Sequence, residues 1–66
     1  MKEVLVGDGV ILQSGDKEIG ITRKFGGYEV IVTTYGRRGH DTVKYSSIRQ
    51  LNSFLSMYGF VATDKR

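Results

Sequence analysis

Arg37 and Arg38 stand side by side between Gly36 and Gly39, and Tyr28, Tyr35 and Tyr45 are interleaved with Arg23, Lys24, Lys44 and Arg49. Cations neutralise phosphates, aromatic rings stack on bases, and hydroxyls such as those of Thr33 and Thr42 bond backbone oxygens. These types together point to polyanion binding. Residues 23–49 hold those basic side chains and Arg37 and Arg38 against only Glu29 and Asp41, a balance of +4. The remainder carries −1, which makes up the net +3 of the chain. A localised basic excess is the electrostatic footprint of a nucleic-acid binder. Small soluble domains also carry modest net charge for solubility alone.

Catalytic chemistry finds less material. His40 is the only imidazole, and Asp41 beside it falls on the opposite face of a regular strand, so no His–Asp dyad forms. Asp8 and Asp16 fall in separate turns. Gly7-Asp8-Gly9 is a turn and not a nucleotide fingerprint, because no G-x-G-x-x-G precedes a helix. The carboxylates are too scattered for a divalent-metal cage. There is no cysteine, which removes disulfides and thiolate zinc sites and fits a cytoplasmic compartment. The reading is therefore not an enzyme, with no cofactor and no metal.

The elements that must position these residues are short. A chain of 66 residues makes one small domain near the lower size limit for independent folding. No apolar run exceeds three residues, far short of the roughly 20 of a membrane span or the 7 or more of a signal peptide. The leading Met reads as an untrimmed start. The spacing predicts strands over Lys2–Val6, Gly9–Gln13, Lys17–Phe25, Tyr28–Tyr35 and His40–Tyr45, separated by glycine turns. The Gly26-Gly27 pair reads as a two-residue hairpin loop. Ser47-Ile48-Arg49-Gln50 has capping-box spacing and opens a helix. Its apolar arc is Ile48, Leu51, Leu55 and Tyr58, with Phe54 beside it; Arg49, Asn52, Ser53 and Ser56 lie opposite. Gly59 stops it. The expected class is α+β: an antiparallel β-meander of four to five strands with one C-terminal helix packed on one face. The domain spans 1–62, with 63–66 a frayed tail.

A Gly26-Gly27 loop sets the faces. Phe25 then opposes Tyr28, and Arg23–Val30, Ile21–Val32 and Ile19–Thr34 share the face the helix covers. Tyr35 opposing His40 adds Val32–Val43 and Val30–Tyr45 to it. The open face gathers Thr22, Lys24, Thr33, Tyr35, His40, Thr42 and Lys44, with Arg37 and Arg38 at its rim. A single nucleic-acid strand fits such a platform. A solvated sheet face also accumulates Thr and Lys through β propensity alone.

The stretch Ile19-Gly20-Ile21-Thr22-Arg23-Lys24-Phe25-Gly26-Gly27-Tyr28-Glu29-Val30-Ile31-Val32 resembles the central hairpin of PC4-like single-stranded-DNA-binding domains. Tyr35 is similar to their aromatic strand end, and Gly36-Arg37-Arg38-Gly39 to their basic entry to the last strand. The helix after Ser46-Ser47 also matches in place, so the resemblance covers about residues 18–58. It implies a homodimer that binds single-stranded or melted DNA in transcription or replication. Arg23, Lys24, Phe25, Tyr35, Arg37, Arg38 and Lys44 are the contacts it implies. The loop after Tyr35 is shorter than in that family, and two short strands precede the hairpin. The strand-then-helix order also resembles the arm-binding domain of tyrosine integrases and the SH3-like chromatin proteins of archaea, both duplex binders.

The expected function is thus non-enzymatic binding of nucleic acid, with single-stranded DNA favoured, through Arg23, Lys24, Phe25, Thr33, Tyr35, Arg37, Arg38, His40, Thr42 and Lys44. A competing class is a protein-binding module, such as a phage-encoded modulator of a host protein. It would pair an exposed strand edge with its partner or dock the basic loop on an acidic patch. A structural or assembly role is the third class.

Overall fold

Alternation of apolar and polar residues at period two builds most of this chain, and glycines at φ > 0 turn it. A computed structural model describes residues 1–64. Four strands follow one another as an antiparallel meander: β2 (Gly9–Ser14), β3 (Lys17–Lys24), β4 (Gly27–Thr34) and β5 (Asp41–Tyr45). Before them comes β1 (Lys2–Leu5), and after them α1 (Ile48–Leu55), a 3₁₀ turn (Ser56–Tyr58) and β6 (Phe60–Thr63). The α+β class with a four-strand antiparallel sheet and one helix is as the sequence indicates.

The first strand departs from the meander. β1 pairs parallel with β6, with Val4 beside Ala62 and Lys2 beside Phe60. Lys2 N–H donates to the Gly59 carbonyl at 2.9 Å and Val6 N–H to that of Thr63 at 3.0 Å, which extends the ladder at both ends. The drive is burial: Val4, Val6, Phe60 and Ala62 all enter the core. The other side of β6 is held by a side chain. Asn52 Nδ2 donates to the Ala62 carbonyl at 3.1 Å, and Ala62 N–H donates to Asn52 Oδ1 at 2.6 Å. Asn52 therefore does not belong to the solvent side of α1. The expected frayed tail is also corrected. Thr63 is in β6 and Asp64 bonds Arg23 and Tyr28; Lys65 and Arg66 lie outside the described residues.

The core sits between the sheet and the layer formed by α1, β1 and β6. Ile19, Ile21, Val30, Val6, Leu51 and Leu55 are almost wholly buried within it. Tyr45, Phe54 and Tyr58 continue it toward β5, with ring centroids 5.9 and 5.3 Å apart along the series. Ser47 caps α1, its hydroxyl accepting from Gln50 N–H at 3.2 Å. The reciprocal half of the box is displaced by one residue: Gln50 Oε1 accepts from the Ser46 N–H and hydroxyl, each at 3.0 Å. The α-helix ends at Leu55, earlier than its apolar arc suggests, and the 3₁₀ turn carries the chain to Gly59 at φ 82°.

The hairpin register differs from the expected one by two residues. Lys24 opposes Gly27, Arg23 opposes Tyr28 and Ile21 opposes Val30. The loop is Phe25-Gly26, with the left-handed backbone at Gly26 (φ 87°) and none at Phe25. Gly27 is the first residue of β4, and a Cβ there would collide with the Tyr45 carbonyl oxygen on β5, so only glycine fits. β5 follows the same shift: Val30 opposes Val43, Tyr28 opposes Tyr45 and Val32 opposes Asp41. The expected Tyr35–His40 pair does not form, since β4 ends at Thr34 and β5 starts at Asp41. A slip of two preserves which face each side chain takes.

Candidate nucleic-acid interface

Two basic-aromatic clusters flank β4, one at each end. At the β3–β4 turn, Phe25 is fully exposed on the loop beside Lys24. Lys44 lies across the sheet at the same end, opposite Glu29. Lys24, Phe25, Lys44 and Tyr45 line a shallow hollow of about 320 Å³ there. Exposure of a whole Phe ring forgoes about 1.5–3 kcal/mol of burial, and the strain-free turn does not require an aromatic residue at that position.

The second cluster is the 35–40 loop. Tyr35 is 89% exposed. Its N–H donates to the Asp16 carbonyl at 2.7 Å, which ties the loop to the β2–β3 turn. Arg37 N–H donates to the Thr34 carbonyl at 3.1 Å, and Gly36 and Gly39 supply φ of 82° and 80°. Arg37, Arg38 and His40 are all exposed and, with Val32, Thr34 and Asp41, line a hollow of about 150 Å³ at the end of β4, on the side of the sheet that Val30 shares; Tyr35 is on the same loop but outside that lining. The sheet between the clusters has Gly20, Ile31 and Thr42 in one row and Glu18 and Thr33 in the next. Eight residues of β4 at about 3.3 Å each separate the clusters by roughly 26 Å.

The structure sorts the residues singled out from sequence into three groups. Lys24, Phe25 and Lys44 meet at one end; at the other, Arg37, Arg38 and His40 line one hollow, and Tyr35 is exposed on the same loop outside it. Thr33 and Thr42 belong to the sheet face between them. Arg23 joins neither. It is on the covered face, ion-paired with Asp64 across 41 residues of chain. The Tyr28 hydroxyl donates to the same Asp64 Oδ2 at 2.5 Å, so Tyr28 is a core and latch residue. The open face is also less basic than its cations alone indicate. Glu29 lies between Lys24 and Lys44, with Lys24 Nζ 3.8 Å from its Oε1. Glu29 follows Tyr28 at odd parity, so its face was readable; its partner on β5 depended on the register.

No family model, curated protein or solved structure matches the chain. Among the described residues there is no group of three or more His, Asp or Glu placed to hold a metal, and no helix is long and apolar enough to cross a membrane.

Proposed function

We propose that this protein binds single-stranded nucleic acid, DNA by preference, along β4, from the Phe25 turn to the Tyr35 loop. The observation that supports the reading is the placement of two exposed aromatic rings at opposite ends of one strand, each beside exposed cations. Phe25 stacks a base at one end, with Lys24 and Lys44 on the adjoining phosphates. Tyr35 stacks a second base, and Arg37, Arg38 and His40, farther along the same loop, take the phosphates that follow. Thr33 and Thr42 offer hydroxyls to the backbone between. Glu18 and Glu29 keep the sheet centre from acting as a general polyanion trap, so affinity concentrates at the two ends. The span asks for an oligonucleotide of at least about four nucleotides, at the short end of known single-strand site sizes. The function is binding and not catalysis, in the cytoplasm, where a cysteine-free domain is at no disadvantage.

Alanine at either ring is the test. Phe25→Ala and Tyr35→Ala should each cost about 1–3 kcal/mol of affinity for a single-stranded oligonucleotide, read by fluorescence anisotropy, with unchanged melting temperature. Equal affinity in both variants and the parent would remove stacking from the mechanism. Absence of binding in all three would direct attention to a protein partner.

A further inference from the structure

We propose that β2 is a self-pairing edge, and that a second copy of this chain adds to it about a two-fold axis at Ile11. β2 is the outermost strand of the four-strand sheet on one side, as β5 is on the other. Sheet edges are normally guarded by charge, proline or a bulge. β5 has such a guard, with Asp41 and Lys44 along its length. β2 has none: Gly9-Val10-Ile11-Leu12-Gln13-Ser14 contains no ionisable side chain and no proline, and pairs one-to-one with β3 without a bulge. Among the described residues, no backbone hydrogen bond outside the β2–β3 ladder involves Val10–Ser14.

The side chains favour a second copy as the occupant. Ile11 is 70% exposed in the middle of the edge and shares a row with Gly20 and Ile31. Antiparallel pairing of two β2 strands keeps like faces together only if a residue lies on the axis, and for the strand Gly9–Ser14 Ile11 or Leu12 there gives the longest overlap. With Ile11 there, Ile11 opposes Ile11 of the second copy, and each exposed ring of apolar surface is covered by its equal. Val10 then opposes Leu12 on the core side, where both are already at least half-buried. The charges agree with this register. Asp8 of each copy falls opposite Ser14 of the other, in the row Ser14 shares with Lys17. Opposite charges thus come into one row twice, and no like charges oppose each other along the six residues. Such an edge is smaller than the roughly 1,200–2,000 Å² of a standard stable interface, so a dimer that dissociates at micromolar concentration is expected. The proposal stands apart from nucleic-acid binding, because β4 and both aromatic clusters stay open.

Sedimentation equilibrium from micromolar to millimolar protein tests it. The parent chain should pass from monomer to dimer, and Ile11→Lys should lose the dimer while keeping its melting temperature, since Ile11 is not a core residue. The chain has no cysteine, so Ile11→Cys provides an independent reading. Directly opposed strand residues lie within disulfide reach, and this variant should form a disulfide-linked dimer on mild oxidation faster than Thr42→Cys on the other edge. A parent chain that stays monomeric throughout would overturn the proposal. So would an Ile11→Lys protein that dimerises like the parent, or Thr42→Cys linking as fast as Ile11→Cys.

Discussion

Arg23 and Lys24 are neighbours in β3, and alternation sends them to opposite faces with different work to do. Lys24 is at the exposed turn. Arg23 closes a latch with Asp64 that ties the last described residue to the sheet, and the Tyr28 hydroxyl joins it. The Arg23 and Asp64 side chains keep 28% and 12% of their exposure, so water screens the pair only in part. Arg23→Ala should therefore lower stability by about 1.5–3 kcal/mol, the range for hydrogen bonds to charged groups, and leave oligonucleotide affinity within twofold. Thermal unfolding and anisotropy on the same variant check both halves. A large loss of affinity at unchanged stability would return Arg23 to the interface. The parity of Arg23 was legible in the alternation of β3. Its partner was not, because nothing local in Thr63-Asp64 announces a contact 41 residues away.

At the scale of elements, the hairpin shows how far pattern reading reaches. Two glycines at 26 and 27 offer two loop placements, and local chemistry favours both positions at φ > 0. In the observed register Gly27 lies against β5, where it passes the Tyr45 carbonyl with no Cβ. Gly27→Ala should thus destabilise by about 1–3 kcal/mol or more, as overpacking does. Gly26→Ala should cost less, since a Cβ there meets open space and only its φ of 87° is strained. Paired denaturation curves decide this, and the reverse order would favour the Gly26-Gly27 loop. The faces survived the register error because a slip of two keeps parity. β6 was missed for a different reason. Phe60-Val61-Ala62 is too short to stand out as a strand, and its pairing with β1 and with the Asn52 amide is long-range. The meander and the helix are local patterns and were readable; the closure of the two termini is not local.

Across the whole molecule, the opposed charges matter as much as the net +3. Glu18 and Glu29 divide the basic surface, so phosphate contacts should be few and the salt dependence shallow for a basic protein. Removing both Arg37 and Arg38 by alanine should reduce the log–log salt slope for a single strand by about 1.4, two contacts at about 0.7 each. An unchanged slope would take the loop out of the interface. The central claim is preference for a flexible single strand that can reach both rings, and one comparison tests it most directly. Fluorescence anisotropy of one labelled sequence, as single strand and as duplex, over a salt series should give tighter binding of the single strand at every salt concentration. Equal or tighter binding of the duplex, or no binding of either at low salt, would contradict the account.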